Sequence, residues 1–219
     1  MATKSYQVTV EGVNPLICSN VQSSDPLKTE STFRAIFHTK RNKTLKDHQA
    51  LQALDWIQSG YWDKQGQIDI DEDENTVEFK GFSDPILPGA NFLRCLRQGA
   101  AGWRKGLDIK RSVVVTNDSE IKYQGSKNAS VLFTNQRHIN RAFTNRGVWV
   151  SRLCFPSWQV TYNLLVNDEI VSKSDLKKYL ARAAVAEGLG TWRPRYGRFK
   201  TVEFKDAELP KEIKGGSDQ

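Results

Sequence analysis

Two short segments and a run of arginines hold the residue types in this chain that could do chemistry. The first segment, Asp84-Pro85-Ile86-Leu87-Pro88-Gly89-Ala90-Asn91-Phe92-Leu93-Arg94-Cys95-Leu96-Arg97, enters a helix through Pro-Gly. A glycine there turns the backbone tightly and bares the first N–H groups, an arrangement that suits a phosphate. Gly89, Asn91, Arg94 and Arg97 are its candidate contacts. The second segment, Gly188 to Phe199, packs three glycines, three arginines (Arg193, Arg195, Arg198) and the aromatics Trp192 and Tyr196 into twelve residues. That mixture suits backbone approach, phosphate pairing and base stacking. Between Pro85 and Arg152 twelve Lys and Arg face three acids, a balance of +9 that exceeds the +7 of the whole chain. Arg outnumbers Lys there by eight to four. Its fork matches phosphate oxygens, so Arg104, Lys105, Lys110, Arg111, Arg137, Arg141 and Arg146 join the nucleic-acid-binding candidates.

Catalytic patterns are sparse. The three histidines, His38, His48 and His138, are far apart and outside any HxxxH or HxE context, which reads as surface or loop histidine. The acidic run Asp69-Ile70-Asp71-Glu72-Asp73-Glu74 lacks the glycine and terminal glutamate of a calcium loop and reads as a solvated acidic loop. Neither a Walker lysine nor a GxSxG elbow is present. The chain therefore reads as a binder without cofactor or metal, not an enzyme.

The elements that must position these residues follow from periodicity. Tyr6 to Val13 alternates as a strand, and Thr44 caps a helix with Leu45, Ala50, Leu51, Leu54 and Ile57 on one face. Thr76 to Lys80 is a short strand in an acidic insertion: from Asp63 to Asp84 eight acids face two lysines. Asn91 caps a helix running through Phe92, Leu93, Leu96, Ala100 and Trp103. Ser112 to Thr116 is a buried-type strand, and Gly125 to Asn145 a long polar loop. Strands follow at Gly147–Phe155 and Trp158–Val166, then a helix capped by Ser172 or Ser174 that ends at Gly188, then a strand from Phe199 to Phe204. The order strand, helix, strand, strand, helix, strand predicts an α+β fold with a ferredoxin-like, RRM-type core and large insertions. One domain over 1–205 is expected, with insertions at about 14–80 and 117–146 and a polar tail over 206–219.

Composition bounds the function. The 219 residues are 38% hydrophobic and 26% charged, enough apolar mass for a core. No apolar run reaches the roughly 18 residues that cross a bilayer, and the N-terminus shows no signal-peptide core. Cys18, Cys95 and Cys154 are odd in number and lack CxxC spacing, so a reducing cytoplasm is expected rather than a disulfide framework. The positive balance points to a polyanionic partner.

The two glycine segments resemble the RAMP superfamily, the RRM-like backbone proteins of CRISPR effector complexes. In that family a Pro-Gly-small-small motif opens the first core helix and ends in a hydrophobic-Arg pair. Pro88, Gly89, Ala90 and Asn91 match the opening, and Leu96 and Arg97 the ending. Tyr196-Gly197 matches the aromatic-Gly end of the family's glycine-rich loop. Leu93 stands where a Lys is common, and Arg195 where a further Gly is common. Small stand-alone phage and prophage members share an Asp-Pro segment like Asp25-Pro26 and an Arg-Pro-x-x-Gly-Arg-Phe ending like Arg193 to Phe199. The resemblance implies a partner in single-stranded RNA or DNA, self-association along the strand or membership of a CRISPR-type ribonucleoprotein, and no membrane. Its compartment would be the cytoplasm of a bacterial or phage-infected cell. It also carries two alternatives: a RAMP-type endoribonuclease, for which Asp25 after the first strand is the weak catalytic candidate, and a phage-encoded protein that engages or inhibits a CRISPR effector complex.

Overall fold

The computed structural model describes residues 3–20, 25, 27, 29–71, 73–74, 76–144 and 147–210. In chain order its elements are β1 (Thr3–Gly12), β2 (Leu16–Ile17), α1 (Thr29–Thr39), α2 (Leu45–Ser59), β3 (Trp62–Lys64), β4 (Gln67–Asp71), β5 (Thr76–Lys80) and β6 (Ser83–Leu87). There follow α3 (Gly89–Ala101), α4 (Gly106–Ser112), β7 (Val113–Val115), β8 (Ser119–Glu120), α5 (Ala129–Thr134), β9 (Ile139–Phe143), β10 (Trp149–Phe155), β11 (Gln159–Asn167), α6 (Lys173–Ala186) and β12 (Phe199–Ala207). They form two compact units, the first from residues 1–16, 87–122 and 157–219, the second from 17–86 and 123–156. The sequence reading places insertions at about 14–80 and 117–146 in this second part of the chain. The last strand continues to Ala207, so residues assigned to a polar tail from 206 begin as strand.

The first unit is a ferredoxin-like sandwich. Its sheet runs β12-β1-β11-β7, and the chain path β1-α3-β7-β11-α6-β12 crosses it in the order expected of an RRM-type core. Alternation decides the faces: Tyr6, Val8 and Val10 on β1 and Val160, Tyr162, Leu164 and Val166 on β11 are buried. Phe92 of α3 stacks on Tyr162 at 4.5 Å, and the Tyr162 hydroxyl donates to Leu87 O at 3.0 Å. A Cβ on Gly99 would lie 2.5 Å from Tyr179 O, so glycine lets α3 lie close against α6. Ser172 caps α6 by accepting from Asp175 N. Gln7, Thr9, Thr161 and Asn163 emerge on the other face, where Thr9 pairs with Thr161 and the Gln7 amide donates to Asn163 Oδ1 at 3.0 Å.

The first unit differs from the sequence expectation at three further points. Asn91 lies inside the first turn of α3; the capping position is Pro88, and Asn91 N–H donates to Pro88 O. Ser112 ends helix α4 rather than opening a strand, and Val114 is exposed in the three-residue β7. Trp103 lies beyond the end of α3 and is 39% exposed instead of extending its apolar face.

The second unit is built around Trp56 of α2, fully buried, with Trp62, Phe79 and Phe133 between 5.1 and 5.9 Å from it. Its indole donates to His138 O at 2.8 Å. Thr44 and Asp47 form a reciprocal capping box at the start of α2, whereas Leu45 is exposed and not part of the apolar face. β4 and β5 pair from Gln67↔Lys80 to Asp71↔Thr76, so the acidic stretch is a hairpin. The polar loop expected over 125–145 instead holds α5, capped by Asn128, a 3₁₀ turn at Gln136–His138 and β9 paired with β10. His138 is 3% exposed, its Nδ1 2.9 Å from Cys154 O and its ring edge-on to Tyr123, so it is a core histidine and not a surface one.

Candidate nucleic-acid interface

Helix α3 buries Phe92, Cys95, Leu96, Gly99 and Ala100, which leaves Arg94 and Arg97, three residues apart, exposed on its outer side. The turn after it folds back on the helix end: Arg104 N–H donates to Ala101 O and Lys105 N–H to Ala100 O. Arg104 takes a left-handed conformation, φ 60°, uncommon for a residue with a side chain. The turn leads into α4, whose buried Ile109 faces inward while Lys110 and Arg111 are exposed. From Gly89 to Ser112 six bases meet one acid, Asp108, which Lys105 already engages at 2.9 Å. Among the described residues Arg94, Arg97, Arg104, Lys110 and Arg111 form no ion pair with a carboxylate.

Trp103 lies in the turn between α3 and α4 and is 39% exposed. Lys178 Nζ lies 4.5 Å from its ring centre and the Arg182 guanidinium 5.6 Å, both reaching from α6. Arg182 also donates to Gly99 O at 2.9 Å, satisfying a carbonyl at the end of α3. A Cβ on Gly102 would fall 2.3 Å from Arg182 Nη1, so glycine makes room for that guanidinium. Lys178 and Arg182 are the residues that the sequence reading misses. Their four-residue spacing on a helix is visible in the sequence, but their approach to Trp103, some 75 positions earlier, is not.

Packing requires a glycine at position 89. A Cβ there would lie 2.7 Å from Asn117 O and 2.8 Å from Val115 Cγ1, and its N–H donates to the Asp118 carboxylate at 2.8 Å. The late glycine loop likewise closes on itself. Leu189 N–H donates to Gly197 O, Gly197 N–H donates to Pro15 O, and a Cβ on Gly197 would lie 1.7 Å from Leu189 O. Gly188 and Gly197 adopt φ of 75° and 73°, and Trp192 shares that left-handed region at 54°. Arg193 is a clamp: its Nη1 donates to Gln98 Oε1 at 3.1 Å and to Gly188 O, tying the loop to α3. Trp192 and Tyr196 are half-buried with ring centres 6.4 Å apart, and Arg195 stacks over Tyr196 at 5.6 Å. Arg198 is exposed, its backbone N–H held by Asn14 Oδ1 at 2.7 Å. The structure thus joins the α3 set and the loop set on one unit through Gln98 and Arg193.

The remaining candidates belong to the second unit. Arg137 is exposed in the 3₁₀ turn, and Arg141 lies on β9 with its guanidinium 5.1 Å over Trp149. Arg146 falls outside the described residues. The Asp25 carboxylate accepts the Leu27 N–H at 3.0 Å, a local turn bond. Among the described residues no group of three or more His, Cys, Asp or Glu is arranged to hold a metal ion. The three thiols are buried, which pushes Cys95 up to about 12 and Cys154 up to about 11 and raises Cys18 further.

Charge divides unevenly between the units. The first holds 19 Lys and Arg against 13 Asp and Glu, net +6, and the second 13 against 12, net +1. The first unit's open sheet face is a polar depression of about 620 Å³ lined by Gln7, Thr9, Asn117, Thr161, Asn163 and Glu203 among others. Among the described residues no aromatic side chain lines it. RRM sheets stack bases on aromatics at the corresponding face. Lys122 lines the depression, whereas the aromatics Trp103, Trp192 and Tyr196 and the other candidate cations of this unit lie on α3, the turn after it, α4, α6 and the glycine loop. No helix among the described residues is long and apolar enough to cross a membrane.

The fold is α+β with a ferredoxin-like core. No protein-family model matches the chain, and no curated protein matches it. Among solved structures it is similar, over 94% of its own length and 61% of the other chain, to a chain of the "Cryo-EM structure of the Type III-B Cmr-beta bound to cognate target RNA". The identity is 12% and the TM-score 0.43, and the protein spans less than two thirds of that neighbour.

Proposed function

We propose that this protein is a non-catalytic binder of single-stranded nucleic acid, with the α3–α4 surface and the glycine loop of the first unit as the interface. One observation carries the reading: along α3, α4 and the turn between them six exposed bases meet a single, already paired acid, and that turn also holds Trp103, on which Lys178 and Arg182 stack. Unpaired arginines neutralise phosphates and release counterions. A partly exposed indole and the Trp192–Tyr196 pair offer π-faces that any unpaired base can use. Duplexes hide those faces, so single strands fit better. The ferredoxin-like core, with Pro88-Gly89 opening α3 and Tyr196-Gly197 closing the loop, supports a RAMP-type role for the binder. Side-by-side assembly along the strand belongs to the same proposal, as does action within a CRISPR-type ribonucleoprotein.

The test is fluorescence anisotropy with labelled oligo-U, oligo-dT and a duplex of equal length, at several salt concentrations. Binding to either single strand with affinity falling steeply with salt, and weaker binding to the duplex, is expected. Equal affinity for duplex and single strand would overturn the stacking half of the proposal, and no binding at low salt would overturn all of it.

A further inference from the structure

The second unit contains a cleft that this interface does not use. It encloses about 250 Å³ and is lined by His38, Lys43, His48, Gln52, Arg141 and Trp149, among others. That volume is just below the roughly 300–1,000 Å³ of small-molecule sites, which limits the occupant to about one nucleotide. The one carboxylate among its described lining residues, Asp55, is buried and already countered: Arg34 Nε contacts it directly, and His38 Nε2 lies 3.5 Å away. Lys43 Nζ donates to His38 O at 2.9 Å and to Lys40 O at 2.8 Å, which fixes the ammonium and leaves one of its three protons for a ligand. His48 is exposed at the rim. Among the described residues the cleft therefore presents cations without a free carboxylate.

It also presents an aromatic face. Trp149 is 54% exposed and its cross-strand partner Phe143 60% exposed, with ring centres 5.4 Å apart. Two large aromatics so exposed, side by side on one hairpin, are unusual in a surface that merely stays soluble. Arg141 lies over the indole at 5.1 Å, so a guanidinium and a π-face stand together at the cleft. A phosphate beside a flat, hydrogen-bonding ring is the chemistry that fits both, with Gln52 able to meet a ring edge.

We propose that this cleft binds one nucleoside monophosphate unit, its phosphate held by Lys43, His48 and Arg141 and its base on Trp149. The unit is either a free nucleotide or one residue of a strand. The proposal stands on the second unit alone and does not need the α3–α4 interface.

The full-length protein is titrated with UMP, uridine, inorganic phosphate and oligo-U, following tryptophan fluorescence and the histidine ring signals by NMR. UMP is expected to quench fluorescence in the parent but not in Trp149→Phe, and to shift the His48 signals. Uridine and phosphate should each bind about tenfold more weakly than UMP, as should UMP to Arg141→Gln, the scale of one lost charge-assisted hydrogen bond. Trp149 and Arg141 are both exposed, so these variants keep the fold, which the NMR spectrum verifies. Displacement of UMP by oligo-U identifies a strand residue as the occupant; undiminished UMP binding beside saturating oligo-U identifies a free nucleotide. Full-strength UMP binding to Arg141→Gln, or phosphate binding as tightly as UMP, would overturn the proposal. Arg94→Gln/Arg97→Gln/Arg104→Gln separates the two readings, because it should weaken oligo-U and leave UMP affinity unchanged.

Discussion

Replacing Arg94, Arg97, Arg104, Lys110 and Arg111 together by glutamine should flatten the salt dependence of single-strand binding while leaving the protein folded. All five are exposed and make no ion pair with a carboxylate among the described residues, so each change should alter stability by no more than about 0.5 kcal/mol. Each phosphate contact to a single strand contributes a slope of about 0.7 in log K against log salt, so five contacts contribute up to roughly 3.5. Between 50 and 200 mM salt, a fourfold range, that slope spans about a hundredfold in affinity. Anisotropy with a labelled oligo-U at four salt concentrations reads the slope in parent and variant. A loss of two to three units fits a surface on which most of the five touch phosphates. Arg137→Gln, in the second unit, is the control and should remove at most about one contact, 0.7 of slope. If the five-fold variant keeps the parental slope and binds as tightly, the α3–α4 surface does not contact the strand.

Trp103→Ala should lose much of the tryptophan quenching caused by oligo-U or oligo-dT and weaken binding by about 1–3 kcal/mol, the scale of one stacked base; Trp192→Phe should change quenching less, because that ring is shared between Tyr196 and the loop. Acid stability should depend on Asp47. The Lys40 ammonium, then the Thr44 N–H, hold its carboxyl at about 2, below the usual 3.8, so the stabilisation is complete above about pH 4 and disappears as pH falls toward 2. Thermal unfolding from pH 7 to pH 2 should show Asp47→Asn less stable than the parent at neutral pH, with the difference shrinking in acid. The thiols Cys18, Cys95 and Cys154 should resist a thiol reagent at pH 8 in the folded protein and all react in denaturant; fast reaction of any one while the protein is folded would contradict the burial that raises them.

The core was readable because its strands alternate over two kinds of environment. Tyr6, Val8 and Val10 must go inward if Gln7 and Thr9 go outward, and α6 announces itself with Ser172 and the spacing of Leu176, Tyr179 and Leu180. The second unit was less readable because distant segments make it. Ala129–Thr134 is too short to show a helical period, and what orders it is Phe133 meeting Trp56 and Phe79. His138 looks like a polar loop residue until the Cys154 carbonyl is brought to it. In the candidate interface the arginines were legible as charge. The glycines were legible as glycines, but the close approaches of Val115, Asn117 and Leu189 that Gly89 and Gly197 accommodate were not. Trp103 with Lys178 and Arg182 was invisible, since only the packing of α6 beside α3 brings those cations over the indole.

The most direct measurement is photo-crosslinking of the full-length protein to an oligo-U carrying 4-thiouridine, with the adducts located by peptide mass spectrometry. Adducts on the peptides spanning Arg94 to Arg111 and Trp192 to Arg198 are expected, and they should disappear with excess unlabelled oligo-U. Competable adducts confined to the polar sheet face of Gln7, Thr9, Thr161 and Asn163, with none on α3, α4 or the glycine loop, would contradict the assignment of the interface.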